Sequence, residues 1–243
     1  MKGIIAVTGG LLAMSAWAGG NGLRVLVTHG GHGFNQKAFF GLFERIEGVA
    51  FTAARLPEEA ALLRPGLEAS YDAIVMYDMV RGITPEQQES FKALLARGIG
   101  VVSLHHNLGA HRNWGEFAGI IGGKYLFKVE KRDGRALPQS GYAHGQDMRI
   151  NVADTNHPIT RDIDNFEIHD ETYSDFYLAP SSHVLLTTDH PKADRAVAWT
   201  TSYGASRVFY LQLGHDEKAW RHRNYARLIE RGIRWVAKQS TGD

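Results

Sequence analysis

Short apolar runs alternate with amphipathic stretches through the first hundred residues, and this alternation most constrains the fold. Residues 23–28 (LRVLVT), 49–53, 73–77 (AIVMY) and 100–104 (GVVSL) have the length and Val/Ile content of strands buried on both faces. Between the first two, Phe39, Leu42, Phe43 and Ile46 recur at helical spacing after Asn35. Between the last two, Thr84-Pro85-Glu86-Gln87 reads as a helix start, with Thr84 as cap, Pro85 in the first turn and Gln87 closing a capping box. Gly98 ends that helix. Strand, helix, strand in sequence predicts a parallel sheet with helices on both faces. Such sheets bind ligands beyond the carboxyl ends of their strands. His29, Asp78 and His105 fall at or just beyond three of those ends.

The second half is less regular. A short helix is expected over 114–121, and several short strands over 125–152. A loop is expected to carry His169-Asp170-Glu171-Thr172-Tyr173. Strands follow over 184–188, 196–200 and 208–213, then Gly214-His215-Asp216 and an amphipathic helix over 224–238. No linker divides the chain, so residues 19–243 are read as one domain.

Composition narrows the function classes. A formal net charge of +1 over 243 residues leaves no electrostatic footprint for nucleic acid. The absence of cysteine removes disulfides, thiolate metal sites and cysteine nucleophiles. Lys2, an apolar run over 4–14 and the small-x-small triplet Ala16-Trp17-Ala18 form a secretory signal pattern over residues 1–18, with cleavage near Ala18. That run is too short to span a bilayer and no second one follows, so the chain is expected to be exported, periplasmic or secreted, and not an integral membrane protein.

Four segments place histidine beside glycine or polar residues at loop positions: HGGHG at 29–33, HHN at 105–107, HDE at 169–171 and GHD at 214–216. Imidazole and carboxylate are ligands for zinc and similar divalent metals, and imidazole also moves protons near neutral pH. His29, His105, His169 and His215 are therefore candidate metal ligands or acid–base groups. Glu171 is the candidate general base, with Asp170 and His105 as further catalytic candidates. His32, Asp78, His106 and Asn107 are candidate substrate contacts, and Trp114, Tyr173 and Trp220 candidate surfaces for a sugar ring. The glycines beside His29 and His215 would let a ligand approach the backbone. His111, His144, His183, His190 and His222 read as structural residues. No HExxH motif is present, the stretch around Ser103 lacks the G-x-S-x-G elbow, and HGGHG lacks the spacing of a phosphate loop, so no nucleotide cofactor is expected.

Taken in order, LVTHGGHGF, YDAIVMYD, GIGVVSLHHNLGA with Trp114, NHPIT, HDETY and RVFYLQLGHD resemble the ThuA-like (trehalose utilisation) family over residues 23–238. The resemblance implies a flavodoxin-like three-layer α/β sandwich with a mostly parallel central sheet, like that of class I glutamine amidotransferases. Those enzymes carry a cysteine on the turn after a central strand, where this chain has His105, so glutaminase chemistry is not implied. Carbohydrate catabolism is implied, in pathways that oxidise disaccharides to keto-sugars, and so is a metal role; the matching positions that carry over are His29, His32, His105, His106, Asp170, Glu171 and His215. The signal pattern favours a periplasmic substrate. The expectation is an enzyme acting on a sugar or keto-glycoside by metal-assisted acid/base chemistry, as lyase, isomerase or hydrolase. The alternative is a non-catalytic carbohydrate-binding partner of a sugar oxidoreductase. Homo-oligomerisation is compatible with either.

Overall fold

The computed structural model describes residues 22–132 and 134–239. The signal pattern at residues 1–18 lies outside the described residues. In chain order the alternating half contains β1 (Leu23–Gly30), α1 (Gln36–Glu44), β2 (Val49–Arg55), β3 (Ala73–Asp78), α2 (Pro85–Ala96) and β4 (Gly100–Leu104). A 3-10 turn over His105–Gly109 leads to α3 (Phe117–Ile121) and the short strands β5 (Gly123–Lys124), β6 (Glu130–Arg132) and β7 (Arg135–Leu137). Then come β8 (Gly141–Val152), β9 (Phe166–Ser174), β10 (Tyr177–Leu178), β11 (His183–Thr188), β12 (Ala196–Tyr203), β13 (Ser206–Leu211), α4 (Glu217–Trp220) and α5 (Arg223–Val236).

One 9-stranded sheet runs β2-β1-β3-β4-β13-β12-β11-β8-β9. The strands from β2 to β13 pair in parallel, and those from β13 to β9 pair antiparallel. Every residue of β3 and β4 is buried, as expected of strands covered on both faces. One core cluster joins α1, α4 and α5 to the sheet through Phe39, Phe43, Phe209, Tyr225 and Ile233. The other joins α2 and α3 through Phe91, Leu94, Ile120, Trp199 and Tyr210. This is the sheet covered on both faces that the alternation predicts, and the flavodoxin-like sandwich that the resemblance implies.

Local signals explain the elements. Asn35 caps α1 by accepting from Ala38 N at 3.2 Å. The Thr84/Gln87 capping box forms, with bonds of 3.3 and 2.9 Å. Gly232 lets α5 lie close on the sheet: a Cβ there would sit 2.5 Å from the Phe209 ring. Among the described residues, no helix is long and apolar enough to cross a membrane.

The second half departs from expectation in two places. The stretch 141–152 is one continuous strand, β8, and the HDETY stretch is the buried strand β9 rather than a loop. Its charged residues mimic loop composition, while its burial is set by partners far away in sequence. A bulge between Ala143 and Gln146 interrupts the β8–β9 register. The end of this ribbon reaches the carboxyl edge of β13, where the Asp170 carboxylate accepts the N–H of Gly214 at 2.6 Å and of His215 at 3.0 Å.

Candidate metal centre

β4 ends at Leu104, and the next residue, His105, adopts a left-handed backbone with φ 47°. Such a turn is uncommon for a non-glycine residue and persists where surroundings fix it. Here the Tyr210 hydroxyl donates to the His105 carbonyl at 2.9 Å. His105 Nδ1 lies 2.6 Å from the Gln212 carbonyl, which can only accept, so Nδ1 carries the proton. In the neutral ring Nε2 then presents a lone pair. It faces Glu171 Oε2 at 3.0 Å, His215 Nδ1 at 3.3 Å and the Tyr173 hydroxyl at 3.1 Å. His215 Nδ1 is itself 3.4 Å from Glu171 Oε2.

His105, Glu171 and His215 are the group among the described residues whose ligand atoms gather closely enough for one metal ion. Two of their three separations, 3.3 and 3.4 Å, match the edges of such a site, and the 3.0 Å between His105 and Glu171 is the length of a hydrogen bond. Zinc–nitrogen and zinc–oxygen bonds of about 2.0–2.2 Å make the edge of a tetrahedral site roughly 3.3–3.5 Å. With Glu171 ionised and a lone pair on His105 Nε2, the three atoms need a proton on His215 Nδ1, or a cation, among them. Burial pushes the Glu171 carboxyl up, but hydrogen bonding and charge from His105 and His215 outweigh it and hold the carboxyl well below the usual range. The bond to Glu171 raises His215, against burial. The Tyr173 hydroxyl, raised well above its ordinary value chiefly by burial, stays protonated and donates into the cluster.

The cluster lines one side of a pocket of about 250 Å³. This pocket gathers His32, His105, His106, His144 and His215, with Tyr125, Phe127 and Tyr142 also on its walls. A wider groove of about 930 Å³ runs along the antiparallel part of the sheet, past Asn151, Asp189 and Arg195, and has no histidine. Chemistry, not size, therefore identifies the site.

A family profile described as ThuA, trehalose utilisation, matches residues 24–236. The chain belongs to the ThuA family. The solved structures similar to it include a ThuA-like protein from Parabacteroides merdae, 18% identical, covering 91% of this chain and 92% of that one with a TM-score of 0.72. A ThuA-like protein from Bacteroides uniformis is 17% identical, with coverage of 95% and 98% and a TM-score of 0.68. PurLQS from Thermotoga maritima is 14% identical, with coverage of 88% and 99% and a TM-score of 0.53. At these identities the likeness concerns the fold. No curated protein sequence matches the chain.

In this ThuA-family chain the sequence candidates separate into three groups. His32, His105, His106, Glu171, Tyr173 and His215 line the pocket together. Glu171 is there as a candidate ligand, since both its oxygens face histidines, Oε1 meeting His144 Nδ1 at 2.8 Å. Asp170 serves the site from behind. Its carboxylate is buried and accepts the backbone N–H of Glu171, Gly214 and His215, so it fixes two of the three ligand-bearing segments.

The third group stands outside. His29 packs edge-on against Phe34 and Phe40. His169 is paired with Asp147 at 2.7 Å and lies two residues before Glu171 along β9. Asp78 is fully buried and accepts from Thr28 at 2.8 Å, while Asn107 is bonded to Ser103 and to the Asp78 carbonyl. Trp114 is core, against Phe91 and Phe117. Trp220 is buried and donates to the Gly214 carbonyl. The glycine at 31 also has a different role from that expected. A Cβ there would lie 2.5 Å from the Met79 backbone, so Gly31 lets the loop pack on the end of β3 rather than admit a ligand.

His144, read as structural, was the residue missed. It sits in the β8 bulge beside Gly145, whose φ is +64°. A His-Gly step inside a strand pattern is the bulge signal that would have marked it.

Proposed function

We propose that this ThuA-family protein is an enzyme of carbohydrate catabolism that holds a divalent metal on His105, Glu171 and His215 and acts on a sugar or keto-glycoside by acid/base chemistry. The observation that carries this reading is the approach of three possible ligand atoms, His105 Nε2, Glu171 Oε2 and His215 Nδ1, to within 3.4 Å of one another. Without metal a proton shared within the cluster holds these atoms together, and a divalent cation bound by all three would replace it. Zinc suits a two-nitrogen, one-oxygen donor set. When bound, such an ion would supply Lewis-acid polarisation of a substrate oxygen.

The chain's own residues would do the rest. Gln212 fixes the His105 tautomer through its carbonyl, as outer partners of metal-binding histidines commonly do. Asp170 holds His215 and Glu171 in register. With Glu171 occupied as a ligand, His32 is the general base we assign. It opens to the pocket, and burial followed by the charges of His105 and His215 lowers its pKa, leaving its lone pair free at neutral pH. Tyr173 is the matching hydroxyl donor. The reaction would be proton transfer beside a carbonyl, or hydrolysis.

Metal analysis of purified protein, with turnover of a panel of glycosides and keto-glycosides, tests this. The reading expects about one metal per chain, turnover abolished by His105→Ala and sharply reduced by His32→Ala. Sugar binding without turnover across the panel would favour a carbohydrate-binding partner of an oxidoreductase instead. We also propose export, guided by residues 1–18; a mature protein retaining Met1 would contradict it.

A further inference from the structure

The pocket walls specify more than a metal. Its volume of about 250 Å³ is below the roughly 300–1,000 Å³ typical of sites that enclose a drug-sized ligand. One six-membered ring with its hydroxyls fits such a space, and two linked rings do not. At the mouth stands Tyr142, one of the few exposed large hydrophobic residues, at 62% exposure. It is directly opposite Tyr173 across the β8–β9 pair, so both rings project from the same face of the ribbon. Tyr173 runs inward to His105, and Tyr142 forms the exposed end of the same wall, edge-on to His144 at 5.2 Å. An exposed aromatic ring beside a small polar pocket is a stacking surface for whatever extends beyond it.

Among the described residues, no lysine or arginine lines this pocket, so its walls offer a sugar ring aromatic faces and hydrogen-bonding side chains.

From these walls we infer that the site encloses the terminal ring of a glycoside, with the next unit of the glycoside stacked on Tyr142. This rests on the sugar reading above and adds how much of the glycoside is enclosed and which residue holds the rest.

Calorimetric titration of the metal-loaded protein separates the two. The probes are trehalose and methyl glucoside, each against wild type and Tyr142→Ala. Trehalose should bind wild type about tenfold more tightly than methyl glucoside, the equivalent of one ring contact. Tyr142→Ala should remove that advantage by lowering trehalose affinity far more than methyl glucoside affinity. Equal trehalose affinity in wild type and variant, or a parallel loss for both sugars, would overturn the inference while leaving sugar binding intact. Failure of every sugar to bind wild type would overturn the sugar reading itself, and this inference with it.

Discussion

Asp170 shows at single-residue scale how the fold serves the site. Its carboxylate is 2% exposed and accepts three backbone N–H groups, from Glu171, Gly214 and His215. Burial alone raises its pKa, and the charge of His105 and those three donors oppose the rise. Asp170→Ala would leave three donors without a partner, and each buried loss costs about 1–3 kcal/mol. With partial relaxation, stability should fall by roughly 2–4 kcal/mol in urea unfolding. Zinc affinity should fall with it, because His215 is no longer held against β9. Unchanged zinc affinity in a folded Asp170→Ala protein would show that Asp170 does not position the cluster. From the sequence, Glu171 is the candidate general base and Asp170 a further catalytic candidate beside it. Strand alternation separates them: Glu171 shares the pocket face with Tyr173, and Asp170 points to the backbone behind it.

The elements differ in how legible they were. α2 could be read from its boundaries because a capping box is a local device, complete within four residues. Thr84→Ala should therefore cost about 1 kcal/mol, measured as a shift in the urea midpoint at unchanged slope, with no effect on metal binding. β9 could not be read that way. Its polar stretch is buried only because the ribbon reaches the end of β13, a contact of more than forty residues in sequence. The β8 bulge belongs with it. A Cβ at Gly145 meets nothing closer than His169 Nε2 at 3.6 Å, so the strain in Gly145→Ala comes from φ rather than from a clash. The left-handed conformation costs a non-glycine residue about 1–2 kcal/mol. This variant should lose that much stability and, by shifting His144 off Glu171, weaken zinc binding about tenfold or more, as outer-partner changes do. Titration calorimetry distinguishes the two effects. Stability loss without affinity loss would make the bulge purely structural.

Across the whole molecule the histidines give stability a definite pH dependence. His29, His32, His106, His157 and His222 are all lowered, each chiefly by burial. They bind protons more readily unfolded than folded, so their contribution is complete above an unfolded pKa of about 6.5 and is lost as pH falls below it. Glu171, held low, adds a loss at still lower pH. His215 is raised and acts in the opposite sense: its contribution is present below about 6.5 and disappears as pH rises through its folded value. The lowered group outnumbers it, so thermal midpoints of metal-free protein should fall steadily from pH 8 to pH 5. A midpoint that rises on acidification would contradict this balance. Overall architecture was legible early because a strand–helix alternation implies a parallel sheet and the sheet implies its carboxyl edge. That logic placed His105 and His215 at one rim. It could not exclude His29, whose side chain turns toward Phe34 and Phe40, because the facing of a side chain at a strand end depends on packing outside its own segment.

The central claim is that His105, Glu171 and His215 form one cation site. Zinc titration into metal-free protein at pH 7.5, followed by calorimetry, tests it most directly. Wild type should bind one zinc per chain, releasing the proton held within the cluster, and Glu171→Gln and His215→Ala should each lose that site while remaining folded. Absence of stoichiometric binding, or binding that survives both substitutions unchanged, would contradict the claim.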